Sequence, residues 1–228
     1  MMPFLIGVAG PSSAGKTLLA EKLAAALPAP AAVFPLDAYY RDLSGWSPDA
    51  VEAWNFDTPE ALDEALLFEH LAALRQGRPV ERPVYDYATH SRLGLVVRVE
   101  PKPFVVAEGL FALHWPQARR NMDFKIFVDA PDALCLARRQ TRDAAERGQT
   151  PEETRKQFFE TVQPMCERYV RPSRVWADIV VPGDQPFERF EVNILNLIRA
   201  RRLGQGGLVR RGKATGGAEN GGEQGEGQ

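Results

Sequence analysis

Short apolar blocks alternate along the chain with longer stretches in which apolar side chains recur every third or fourth residue. Phe4 to Ala9 is an apolar run stopped by Gly10 and Pro11, the pattern of a strand buried on both faces. From Lys16 to Leu27, the positions Leu19, Leu23, Ala26 and Leu27 fall on one helical face, and Pro28 and Pro30 end it. Ala32 to Leu36 is the next strand, with Asp37 at its end. Pro59 to Arg75 is predicted as a single helix, with Thr58 as N-cap, Pro59 at the first helical position, Glu60 and Asp63 near the start and Gly77 past the end. Arg82 to Glu100 reads as a hairpin inserted beside the main sheet, with Leu93 to Val99 as a strand. Pro103 to Ala107, Phe124 to Val128 and Ala177 to Val181 are further buried strands. Charged helical segments over about 131–147 and 151–169 separate the last two. Strands alternating with helices predict an α/β fold: a mostly parallel sheet of about five strands flanked by helices.

Composition adds boundaries and exclusions. The chain has 228 residues, 44% of them hydrophobic and 25% charged, enough for one large domain that needs no disulfide or metal staple. Its body is expected to span 1–203. Residues 204–228 hold 10 of the 19 glycines and few apolar side chains, so they are predicted to be a disordered tail. A net charge of −2 argues against a general nucleic-acid binder. No apolar run approaches the ~20 residues of a membrane span, and no secretory signal pattern is visible, so a cytoplasmic protein is expected. The two cysteines, Cys135 and Cys166, form no zinc pattern and read as packing residues.

The candidate chemistry starts at the end of the first strand. Gly10-Pro-Ser12-Ser13-Ala14-Gly15-Lys16-Thr17 fits GxxxxGK[ST] without a gap, after a strand and at the head of a helix, which is the context a phosphate-binding P-loop requires. Glycines let the backbone curl so that successive N–H groups face phosphate oxygens, and the helix N-terminus adds its positive end. Lys16 would reach the β- and γ-phosphates, and the Thr17 hydroxyl would ligate Mg²⁺. This motif implies a nucleoside triphosphate ligand and leaves open whether the protein is a kinase, an ATPase or a switch.

Asp37 and Glu108 both end strands on the P-loop edge of the sheet, where open α/β folds bind ligands. One of them is suited to take a proton from an acceptor hydroxyl and the other to hold Mg²⁺ through water. The plainer alternatives are a turn cap for Asp37 and a structural ion pair for Glu108. The segment 137–148 is dense in arginine: Arg138, Arg139, Arg142 and Arg147 alternate with Asp143 and Glu146. It reads either as a lid carrying planar phosphate contacts or as a solvated charged helix.

Eight segments in order resemble the uridine–cytidine kinase family: GPSSAGKT (10–17), LDAYYR (36–41), NFDTPEA (55–61), PVYDYATHSR (83–92), VVAEGLFAL (105–113), FKIFVDA (124–130), ARRQTRDAAERG (137–148) and the stretch 163–183. The likeness runs over about residues 3–200, and NFDTP with PVYDYATHSR is its most specific part. It implies ATP-dependent phosphorylation of uridine or cytidine at the ribose 5′-hydroxyl, with Mg²⁺, by a homo-oligomer, a tetramer, acting on a small nucleoside. It also implies roles. Asp37 would be the catalytic base, with Lys16 and Glu108 beside it. Gly10, Ser12, Ser13, Ala14, Gly15, Lys16, Thr17 and Leu18 would bind ATP, with Arg142 and Arg147 in a lid over about 137–150. Tyr40, Phe56, Asp57, Tyr85, Tyr87, His90, Arg139 and Gln157 would form the nucleoside site together with Asp37. Thr17, Asp37 and Glu108 would be the metal side.

These assignments agree with the chemistry of the groups. A carboxylate such as Asp57 is an acceptor with two oxygens, suited to two adjacent ribose hydroxyls. An imidazole at His90 donates from one nitrogen and accepts at the other, matching either pyrimidine edge.

The chain also departs from the family pattern. The family loop usually reads GxSGSGKTT, and here Ser13, Ala14 and Leu18 replace Gly, Ser and Thr. Ser13 then occupies a position that favours positive φ. Gln149 stands where many members carry an arginine. The competing readings are a related P-loop kinase of the nicotinamide riboside, phosphoribulose or pantothenate type, and an inactive nucleotide-binding relative.

Overall fold

The computed structural model describes residues 2–211. The chain runs β1 (Phe4–Ala9), α1 (Lys16–Ala26), β2 (Ala31–Pro35), α2 (Pro48–Glu52), α3 (Glu64–Arg75), β3 (Val80–Asp86), β4 (Ser91–Val99), β5 (Phe104–Glu108), α4 (Pro116–Arg120), β6 (Phe124–Asp129), α5 (Asp132–Arg147), α6 (Pro151–Gln157), β7 (Ile179–Pro182) and α7 (Glu191–Arg211). Five strands form one parallel sheet in the order β2-β5-β1-β6-β7, as the alternation of strand and helix predicts. β3 and β4 make a separate antiparallel hairpin.

β1 lies at the centre and every one of its residues is buried. Its even positions, Phe4, Ile6 and Val8, join α1 (Leu19, Leu23) and α7 (Ile194, Ile198) in one core. Its odd positions, Leu5 and Ala9, join α3 (Leu67, Leu71), Phe34 and Phe111 in the other. The two-residue period of a strand thus divides one apolar run between two layers. Each fully buried Leu, Ile, Val or Phe contributes about 1.5–3 kcal/mol. The Asp123 carboxylate accepts the Leu5 N–H at 2.9 Å and pairs with Arg75 of α3, tying the start of β6 to β1 and to α3.

Register sets the position of the site. Val8 and Pro35 both lie level with Glu108, so β1, β2 and β5 end together. The loops that follow these strands therefore open on one edge of the sheet.

The helix expected over 59–75 is split. Pro59–Ala61 is a tight turn, and Leu62 is extended and bridges to Tyr40. The Asp63 N–H donates to the Tyr39 carbonyl at 2.8 Å, which draws the chain out of helical geometry. Asp63, not Thr58, then caps α3 by accepting the Leu66 N–H. The hairpin is longer than its apolar strand suggested, with Val80 opposite Val99 and a shift of register between Pro83 and Tyr85. After α6 the chain stays helical through Val170 in widened turns, and α6 itself opens on a Thr150–Glu153 capping box. α7 carries the chain past the expected boundary at 203 to Arg211, and the rest of the expected tail, 212–228, lies outside the described residues.

Candidate active site

The β1–α1 loop forms the floor of the site. Gly10 has φ 152°, and a Cβ there would sit 2.2 Å from the Val128 carbonyl oxygen, so the loop leaves β1 flush against β6. Gly10 lies behind the loop and not in the cleft wall. Ser13 sits at φ 61°, in the left-handed region that the sequence pointed to, and its buried hydroxyl has no hydrogen-bond partner. The Lys16 ammonium folds back onto its own loop and donates to the Pro11 carbonyl at 2.8 Å.

Two carboxylates stand above this floor. Asp37 occupies the tight turn Leu36–Tyr39 just after β2, and Glu108 is the last residue of β5. The Thr17 hydroxyl donates to Glu108 Oε1 at 3.3 Å. Burial pushes the Glu108 carboxyl up to about 7, and the nearby Asp37 charge adds to this against Lys16 and Thr17. Asp37 lines the cleft. Burial raises its pKa too, opposed by Lys16, Arg142 and Arg147. Two close carboxylates with raised pKa values beside a lysine suit proton transfer and cation binding.

Aromatic side chains build the opposite wall. Tyr40 lies 5.4 Å from Tyr85 and 6.0 Å from Phe56, centroid to centroid, and Tyr85 lies 5.3 Å from Tyr87. Phe56 and His90 stack at 4.4 Å with an interplanar angle of 22°. His90 has φ 52°, and its carbonyl accepts the Leu43 N–H, which fixes the turn between β3 and β4 over the cleft. The Tyr85 hydroxyl is buried with no partner. Burial raises the Asp57 pKa, with Arg139 and Arg147 as the largest opposing charges.

α5 closes the third side. Arg138 donates to the carbonyls of Ser13 and Ala14 at 3.4 Å and of Gly183 at 3.0 Å. Gly183, just beyond β7, touches the loop so closely that a Cβ would lie 2.3 Å from the Ala14 carbonyl oxygen. Arg139 donates to Ser12 Oγ at 3.2 Å and to Gln157 Oε1 at 3.0 Å. The Arg147 guanidinium lies 5.9 Å over the Tyr87 ring.

All these groups face one cleft of about 1830 Å³. A typical single-ligand pocket is about 300–1,000 Å³, so this one has room for two ligands side by side. Apart from Gly10, every residue expected in the site lines it. Gln149 is there as well, and its side-chain oxygen is buried with no partner.

Sequence reasoning missed an apolar wall made by Trp46 and Trp54, whose rings meet edge to face at 5.1 Å. They flank α2, whose start was signalled by Ser47-Pro48: Ser47 Oγ accepts the Ala50 N–H and Pro48 opens the helix.

Among the described residues, no group of three or more His, Cys, Asp or Glu side chains builds a metal cage. The oxygens of Thr17, Glu108 and Asp37 suit a hard divalent cation that completes its shell with phosphate and water. No helix among the described residues is long and apolar enough to cross a membrane.

The family model described as the phosphoribulokinase / uridine kinase family matches residues 5–185. Uridine kinases of Salmonella typhimurium and Salmonella typhi are 42% identical over 183 residues, which cover 78% of this chain and 86% of each relative. Phosphoribulokinase from Rhodobacter spheroides superposes with a TM-score of 0.62 at 16% identity, over 82% of this chain and 74% of that one. D-glycerate 3-kinase from Cryptococcus neoformans var. grubii superposes with a TM-score of 0.61 at 18% identity, over 81% and 88%. At these identities the two structures speak for the fold alone.

Proposed function

We propose that this chain, which belongs to the phosphoribulokinase / uridine kinase family, transfers the γ-phosphoryl group of ATP to the 5′-hydroxyl of uridine or cytidine. The observation that carries the reading is the cleft itself. A P-loop, a pair of buried carboxylates and an aromatic cage converge in one space large enough for a donor and an acceptor.

In this reaction the 5′-oxygen forms a bond to the γ-phosphorus while the bond to the β-phosphate bridging oxygen breaks. The hydroxyl proton passes to the Asp37 carboxylate, which requires Asp37 to be ionised when both substrates are bound. Lys16, now held by the Pro11 carbonyl, exchanges that neutral acceptor for phosphate oxygens, a charge-assisted and stronger partner. Asp57 accepts from the ribose hydroxyls. Phe56 and the tyrosines pack against the sugar and base, and His90 bonds the base edge. Arg139, Arg142 and Arg147 face the charge that develops on the transferring group. Thr17, Asp37 and Glu108 would hold Mg²⁺. When bound, the ion neutralises phosphate charge and orients the donor.

A cytoplasmic setting agrees with two buried free thiols, since reducing compartments keep cysteines unpaired. Association into a homo-oligomer is supported by four exposed apolar side chains on β4, Leu93, Leu95, Val96 and Val97.

A coupled ADP-release assay tests the reading, with ATP and Mg²⁺ against uridine, cytidine, nicotinamide riboside and no acceptor. Turnover that depends on uridine or cytidine is expected. ADP release indifferent to pyrimidine nucleosides would overturn the reading.

A further inference from the structure

Asp143 is wholly buried near the C-terminal end of the charged helix α5. Its two carboxylate oxygens serve three arginines. Oδ1 accepts from Arg142 Nε at 2.9 Å and Nη2 at 2.8 Å, and lies 3.7 Å from Arg147 Nε. Oδ2 lies 3.1 Å from Arg139 Nε, an ion pair without hydrogen-bond geometry. The backbone carbonyl of the same residue accepts the N–H groups of Gly148 and Gln149, which closes α5 and fixes the turn that carries Arg147. All three arginines line the cleft. Arg139 also holds Ser12 of the P-loop with one nitrogen and Gln157 with another.

A purely structural salt-bridge cluster explains this arrangement poorly. Buried ion pairs stabilise folds weakly, and apolar residues of similar volume often do as well. Three guanidinium groups carry far more N–H donors than one carboxylate has lone pairs, so donors remain on all three for another acceptor in the cleft. Burial acts most strongly against the protonated form of Arg139; Asp57 and Asp143 favour that form, and Arg142 and Arg147 oppose it.

We propose that Asp143 is a positioning residue for phosphoryl transfer, whose carboxylate aims Arg139, Arg142 and Arg147 at the border between the donor phosphates and the acceptor hydroxyl. The inference rests on the kinase reading above. Its logic is that of preorganisation: donors already aimed at the developing charge need no reorganisation during the reaction. Lys16 and the P-loop backbone, which Asp143 does not touch, retain the diphosphate part of the donor.

The test compares D143N and D143E with the unaltered protein. The readouts are the melting temperature, the Kd of ADP by calorimetric titration, and kcat with the pyrimidine nucleoside that the unaltered enzyme turns over. D143N is expected to stay folded and to hold ADP within about 3-fold of the unaltered protein. Its kcat is expected to fall about 10²-fold, the usual loss for one preorganised donor. D143E keeps the charge but moves it by one methylene, and its kcat is expected to lie in between. A folded D143N with kcat within about 3-fold of normal overturns the proposal, as does an ADP affinity that falls in step with kcat and melting temperature. If D143N does not fold, D143E decides in the same way: kcat loss at constant ADP affinity supports the proposal, and unchanged kcat overturns it. ADP titration needs no turnover. Inactivity of the unaltered enzyme on every nucleoside would therefore count against the kinase reading, and not against Asp143.

Discussion

Thr17 and Glu108 are 91 residues apart in sequence, yet the hydroxyl of one donates to the carboxylate of the other at 3.3 Å. The contact joins the first turn of α1 to the last residue of β5. It ties the phosphate floor to the acidic edge, so a change in charge at Glu108 acts at once on the residue proposed to ligate the donor's cation.

Glu108 gives a pH signature in stability. Its pKa is about 7 in the folded protein against 4.5 in an unfolded chain. Between those values the folded state keeps a proton that the unfolded state has lost, so stability falls as pH rises from about 5 to 7 and then levels off. A shift of that size corresponds to about 3 kcal/mol. Asp37, also raised, adds in the same sense. Denaturant melts of the ligand-free protein at pH 5, 6, 7 and 8 should show this fall, and E108Q should lose part of the slope. An identical slope in E108Q would remove Glu108 as its source.

Asp37→Asn should lower kcat by about 10²-fold or more while ADP binding changes little, because the side chain keeps its shape but no longer accepts a proton at the reacting hydroxyl. Steady-state kinetics paired with ADP titration separates the two effects. Turnover near the unaltered level would take Asp37 out of the mechanism.

His90→Ala removes the ring stacked on Phe56 and the base-edge partner together. Leaving the base's polar edge without its partner costs about 1–3 kcal/mol. The KM for uridine should therefore rise about 10-fold or more, with the KM for ATP within about 2-fold. A parallel rise in both constants would mean that the β3–β4 turn supports the whole cleft and does not read the base.

Ser13→Gly should stabilise the protein. A non-glycine residue in the left-handed region costs about 1 kcal/mol, and the buried Ser13 hydroxyl lacks a partner. Added freedom of the unfolded chain offsets part of the gain. A net gain of about 1 kcal/mol would raise the melting temperature by about 2–4 °C in a chain of this size. A fall in melting temperature would show that the hydroxyl is satisfied in solution.

Much of this was legible from local pattern. Phe4–Ala9 announces a buried strand because six apolar residues in a row have no polar face to show water. GPSSAGKT between a strand and a helix announces a phosphate site because backbone curvature and helix polarity are local properties. Asp37 and Glu108 were found because strand ends share an edge in a parallel sheet. What escaped depends on contacts distant in sequence. The split at Leu62 follows from the Tyr39 carbonyl and the bridge to Tyr40, more than 20 positions earlier. The tryptophan wall needed α2 to bring Trp46 and Trp54 together. Asp143 reads in sequence as one more charge on a solvated helix, and only burial shows it to be the hub of three arginines.

Arg138 grips the phosphate loop by main-chain oxygens alone, those of Ser13 and Ala14, and joins it to the Gly183 carbonyl beyond β7. A clamp of this kind does not read side-chain identity. The loop can exchange the residue at 13 and keep its place under α5, provided that the backbone angles are tolerated, while the fully buried Ala14 is held to a small side chain by core packing. Position 13 can therefore vary with little effect on where the loop sits, whereas Ser12, held through its side chain by Arg139, ties loop position to residue identity.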